Sequence, residues 1–135
     1  MKTKTKLIII LGGLQLFNGL SGLLGGFMLI DDPSGNNLSM KLEWLNTTPF
    51  PDFLIPGIIL FLFVGLGNVL GFWLTFKKKN NRAQFASIFG LILMIWIIVQ
   101  ITYIGYKDFL QPLYFTSGLL QAIAGFALIR LNDKG

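Results

Sequence analysis

"LIIILGGLQLFNGLSGLLGGFMLI", residues 7–30, runs for 24 residues without a charged side chain. A helix of that length rises about 36 Å and crosses the roughly 30 Å hydrocarbon core of a bilayer. The stretch therefore reads as a membrane span. The lysines of "MKTKTK" ahead of it also suit a signal peptide, but the apolar run exceeds the usual 7 to 15 residues and no A-x-A-like cleavage site follows. The expectation is an uncleaved first span.

Three further runs read the same way, over residues 54–76, 83–106 and 113–131, with an outer loop at 31–53. None carries a charged residue in its interior, and the linkers leave no room for a second domain. Composition agrees. The 135 residues are 53% hydrophobic and only 13% charged, against about 25% charged in a soluble domain. The expected fold is all-α, one integral-membrane four-helix bundle.

Lysine and arginine set the orientation, because cytoplasmic loops retain positive charge. Lys2, Lys4, Lys6, Lys77, Lys78, Lys79, Arg82, Arg130 and Lys134 fall on one side, and only Lys41 and Lys107 on the other. Both termini are expected in the cytoplasm, and the protein in the cell (plasma) membrane. The net charge of +5 flanks apolar runs and forms no basic face, so nucleic acid is not an expected partner.

Within the spans the small residues come first. Gly12, Gly19, Gly22 and Gly26 recur with Gln15 at steps of 3 and 4, which places them on one helical stripe where another backbone can approach. Gly67 and Gly71 in the second span, and Gly118 in the fourth, extend the device. The stripe suits packing inside the bundle, a face for a second copy, or a groove for a lipid. The amides come second. Counted at 1.5 Å per residue, Asn18, Asn68 and Gln121 lie at similar depth, with Gln15 one turn from Asn18 and Ser117 one turn from Gln121. A carboxamide left facing lipid is costly, so these groups are expected to point inward and bond one another. They read as inter-helix glue or as the polar lining of a pocket that also includes Gln100.

The chain has no cysteine and no histidine. Disulfides, thiol redox chemistry and imidazole ligation of metal or haem are excluded at once. No acid or base lies inside a span, so proton-coupled pumping and general acid-base catalysis lack their groups. No catalytic residue, metal or cofactor is expected, and the chain is not read as an enzyme.

The outer loop holds "LSMKLEWL" (38–45), whose leucines share a face beside Trp44, so a short interfacial helix is expected there. Trp44, Phe50 and Asp52 are candidates for an outer mouth. Phe50, Phe53, Tyr103, Tyr106, Phe109 and Tyr114 suit an aromatic collar, with Trp73 and Phe76 near the opposite interface. Asp52 also suits a cap for the second span, and Pro56 its first turn.

"PFPDFLIPG" (49–57) leading into "IILFLFVGLGNVLG", together with "WIIVQITYIG" (96–105) around Gln100 and a glycine-rich last helix, resembles small bacterial four-helix membrane proteins of a loosely DoxX-like kind. That resemblance implies the four-span architecture and, further off, a role as an oxidoreductase accessory. Where DoxX-type proteins often carry a glycine-then-lysine feature and an acidic residue, this chain has "GLLGG" and Asn68. The function expected first is a non-enzymatic accessory, scaffold or immunity-type protein acting through helix and lipid contacts, with a membrane-protein partner or a second copy. The alternative is a carrier or binding protein for a small uncharged or lipidic molecule in a carboxamide-lined pocket.

Overall fold

The computed structural model describes residues 2–133; Lys134 of the charge count lies outside them. Four helices span them: α1 (Thr3–Asp31), α2 (Leu54–Phe76), α3 (Arg82–Ile104) and α4 (Leu110–Asp133). All four are long and apolar enough to cross a membrane. α2 coincides with the expected span, and the ends of the other three helices depart from theirs by up to four residues. α1 continues outward through Lys6 and Lys4, whose long side chains keep their ammonium groups in the polar layer. It stops at Asp31–Asp32 because Pro33 cannot continue it. α3 ends at Gly105, which takes φ +80, a left-handed conformation open to glycine. α2 begins where the Asp52 carboxylate accepts the Leu54 N–H at 3.0 Å. Pro56 lies in its first turn, where a missing N–H does no harm.

α2 is not uniform. Residues Leu60–Leu66 form a wide π-type turn, which carries an extra residue relative to α-helix and so rotates everything beyond it. The helices close into a ring in which α1 packs on α2 and α4, and α3 packs on α4 and more loosely on α2. The glycines decide how near they come. A Cβ on Gly22 would sit 2.5 Å from the Gly65 nitrogen, and one on Gly26 would sit 2.6 Å from the Phe61 nitrogen. On the other side of the ring, a Cβ on Gly90 would lie 2.7 Å from the Gly118 carbonyl oxygen. Both seams are thus backbone-on-backbone, the geometry that dispersion favours where lipid removes any hydrophobic drive to associate. The α1 stripe is spent inside the chain, on α2. Large apolar side chains such as Leu24, Phe27, Ile95 and Ile123 face outward all round the ring, as lipid requires.

Two buried clusters tie the ring together between its ends. Leu11, Ala83, Ala86, Ala124 and Leu128 pack near the end carrying the chain termini. Val64, Leu93 and Ile97 pack further toward the end carrying the long loop.

The loop itself forms a cap. In place of the single helix expected over 38–45 there are two short 3₁₀ turns, Asn36–Leu38 and Leu42–Leu45. Ser39 breaks the run by taking φ 57, which no helix accommodates. Asp32 organises the turn before it: its carboxylate accepts the Ser34 hydroxyl at 2.6 Å and the Ser34 and Asn37 N–H groups at 3.3 and 3.2 Å. Those bonds, led by the Ser34 hydroxyl, hold the Asp32 pKa below its ordinary 3.8. Phe53 leaves the expected aromatic collar. It is 2% exposed and packs with Leu45 on Leu29, because the bond from its N–H to the Pro33 carbonyl turns the loop back over α1.

Candidate functional site: a cavity above a carboxamide layer

At mid-length the four helices meet through one side chain. Gln121 of α4 accepts at Oε1 from Asn18 Nδ2 of α1, 2.8 Å away. Its Nε2 donates to Asn68 Oδ1 of α2 at 2.8 Å and to the Ala86 carbonyl of α3 at 3.0 Å. Asn68 Nδ2 in turn donates to the Val64 carbonyl at 2.9 Å, and the Ser117 hydroxyl donates to Asn18 Oδ1 at 2.7 Å. Asn18, Asn68 and Gln121 are all fully buried.

The direction of every amide follows from the two backbone carbonyls. Val64 O and Ala86 O only accept, so Asn68 and Gln121 must turn their nitrogens to them. Gln121 Oε1 is then left for a donor, Asn18 supplies it, and Asn18 Oδ1 takes the Ser117 hydroxyl. The chain of bonds has one consistent orientation.

Two amides expected in this cluster are elsewhere. Gln15 sits one turn nearer the terminal end, where its Oε1 accepts the Thr75 hydroxyl at 2.7 Å. Its Nε2 is buried without a partner among the described residues, and a Cβ on Gly71 would meet that nitrogen at 2.6 Å, so Gly71 makes room for it. Gln100 lies toward the loop end and pairs with Gln111, which the sequence reading did not single out. Gln111 Oε1 accepts the backbone N–H groups of Lys107 and Asp108 at 2.6 and 3.3 Å. Its Nε2 donates to Gln100 Oε1 at 3.0 Å and to the Gly105 carbonyl at 3.2 Å.

Between the carboxamide layer and the loop cap lies a cavity of about 630 Å³, well inside the 300–1,000 Å³ typical of ligand pockets. Asn18 and Ser21 line its deep end. Its walls are Met28 and Leu29 of α1, Leu60 and Val64 of α2, Trp96 and Ile97 of α3, and Tyr114 of α4. Met40, Leu45, Phe50 and Phe53 of the loop lie over it, and Gln100 and Gln111 line its upper wall. Among the described residues, no acidic or basic side chain lines it. Leu24 and Leu110 line it while remaining 63% and 51% exposed. Both side chains thus reach from the cavity to the outer face of the bundle. Deeper between α1 and α4, Phe17 stacks on Tyr114, with centroids 5.5 Å apart.

Of the three expected mouth residues, only Phe50 lines the cavity. Trp44 instead lies beneath the Lys107 ammonium, 5.1 Å from its ring, a cation–π contact that ties the loop to the α3–α4 turn. The Thr47 hydroxyl adds a bond of 2.9 Å to the Tyr103 carbonyl. Asp52 is consumed as the α2 cap. Asn68 and Gln121 lie beneath the cavity and do not line it.

Comparison with protein-family models, with curated proteins and with solved structures gives no match, so the DoxX-like resemblance stands on its sequence motifs alone.

Proposed function

We propose that this is a non-enzymatic membrane protein that binds a small uncharged or lipidic molecule in the half of its bundle next to the long loop. The sequence alone puts an accessory or scaffold role first; the cavity reverses that order. Its size carries the reading. A space of 630 Å³ is large enough to take a drug-sized or lipid-chain ligand, and its lining is mostly apolar with a few polar groups, the usual make-up of a binding pocket. Apolar walls disfavour water there and favour an apolar occupant. With no charge in the walls, a charged group has no partner inside, so the buried part of the ligand is neutral.

We further propose, from the lysine and arginine distribution, that the termini are cytoplasmic, with the cavity in the outer leaflet half of the plasma membrane and the loop at the outer surface. The carboxamide layer would then serve as a rigid base to the site. Native mass spectrometry of the protein released from mild detergent tests the reading. The expected result is a co-purifying neutral or lipid-like adduct that disappears in Ser21→Trp, which fills the deep end. A native protein free of any adduct, and taking up none from added lipid, would sink the proposal.

A further inference from the structure

The donor arithmetic at the upper wall says what the ligand presents there. Gln111 has spent both of its oxygen lone-pair directions on the Lys107 and Asp108 N–H groups, so its nitrogen must face Gln100. Gln100 therefore turns its oxygen to Gln111. The Gln100 Nε2 group is left with both N–H bonds unpartnered among the described residues, in a partly buried residue that lines the cavity. The Gln111 anchor makes that orientation obligatory, since a flipped Gln100 would set two amide nitrogens against each other.

Depth gives the second constraint. Gly90 abuts Gly118 across the α3–α4 seam, next to Ser117, which bonds Asn18. Gln100 lies ten residues further along α3, a rise of about 15 Å above the carboxamide layer. That distance is about half the hydrocarbon thickness of a bilayer, the depth of one leaflet. The polar floor at Asn18 and Ser21 then lies near the midplane, and the Gln100 donor near the level where lipid chains join their headgroups. Leu24 and Leu110 both line the cavity and are exposed on the lipid-facing surface of the bundle, so a chain can reach the cavity past them.

We propose that the cavity takes an acyl chain of an outer-leaflet lipid in that lipid's ordinary orientation, with Gln100 Nε2 donating to the ester carbonyl oxygen at the chain's head and the carboxamide floor ending the chain. This rests on the binding function proposed above and adds the ligand class and the residue that reads it. The ligand is an acyl ester, and the corresponding alkyl ether, which lacks the carbonyl acceptor, is its poor analogue. The headgroup lies beyond Gln100 and is not read by it.

The test uses the full-length protein in detergent with two probes of equal chain length, a monoacylglycerol and the matching monoalkylglycerol ether, each titrated by native mass spectrometry. The native protein is expected to bind the ester about fivefold more tightly than the ether, the size of one neutral hydrogen bond. Gln100→Leu is expected to bring the ester down to the ether's affinity and to leave the ether unchanged. Gln111 keeps its Gly105, Lys107 and Asp108 partners in that variant, and an unchanged thermal melt verifies that it folds. Equal binding of ester and ether by the native protein, or an equal loss of both in Gln100→Leu, overturns the ester assignment and leaves cavity binding standing. Failure of both probes to bind, with no other adduct present, overturns both.

Discussion

Gln121 is the residue on which the bundle turns, because its one amide satisfies groups from α1, α2 and α3 together. Gln121→Leu strands the Asn18 nitrogen and the Asn68 oxygen in an apolar interior, while the Ala86 carbonyl keeps its helical bond. Individual inter-helix bonds in membranes average well below 1 kcal/mol, but orphaned buried polar groups cost about 1–3 kcal/mol. The expected loss is about 2 kcal/mol, exceeding that of Asn18→Leu, and thermal unfolding in one detergent compares the two. A smaller loss for Gln121→Leu would mean the network is not centred there. The Asp32 turn gives a pH-dependent counterpart outside the membrane. Its carboxylate has a folded pKa below the unfolded one, so the stabilisation is complete above about pH 4 and is lost as the pH falls through the lower folded value. The loop should loosen only in acid below that point, and Asp32→Asn should be loose at neutral pH too; proteolysis of the 32–53 loop reads both. Depth counting along the sequence finds Asn18, Asn68, Ser117 and Gln121, because a rise per residue is enough to match levels across helices. It puts Gln15 at its right level, one turn from Asn18, but does not give its partner, because pairing also needs helix rotation. The partners Thr75 and Gln111, and above all the Ala86 and Val64 carbonyls, carry no sequence signal of their own.

Among the elements, the α1–α2 pair depends on an absence of side chains at particular points. Gly22→Ala places a methyl 2.5 Å from the Gly65 nitrogen, against backbone that has nowhere to go. A cost of about 2 kcal/mol or more is expected, in the range of overpacked cores. Gly13→Ala, with nothing within 4 Å of the added carbon, should be neutral or stabilise the helix by up to about 1 kcal/mol. The two melts, run side by side, separate a packing role from a general effect of glycine in helix α1; equal shifts would argue against the close seam. The spans themselves were legible from apolar length, since 20-odd uncharged residues have few other uses. The loop was not. A leucine pattern at 38–45 suits a helix, but the left-handed Ser39 and the Asp32 turn divide it, and those are local backbone choices that a hydrophobic period does not register. The π-type turn in α2 was equally hidden, although Gly65 and Gly67 within and beside it mark where α1 and α3 press closest.

At the scale of the whole molecule, the tight and loose parts of the ring divide the work. The terminal half is closed by alanine and leucine packing beneath the carboxamide layer, while the loop half leaves a cavity capped by Met40, Leu45, Phe50 and Phe53. Which side of the membrane that cavity serves depends on the orientation, and the charges favour one answer: among the described residues, eight basic side chains at the terminal end or its turn against two at the loop end. Insertion scales put the cost of burying a single lysine or arginine at about 2.5–3.5 kcal/mol, and translocating the cluster at 77–82 would carry four of them across. The chain lacks native cysteine, so single replacements report cleanly. Asn37 is exposed at the loop end and uses only its backbone N–H, and Lys77 is exposed in the opposite turn. In intact cells Asn37→Cys is expected to react with a membrane-impermeant maleimide, and Lys77→Cys only after the membrane is opened. The reverse pattern would move the cavity to the inner leaflet, and with it the pool of lipid from which an acyl chain could be drawn.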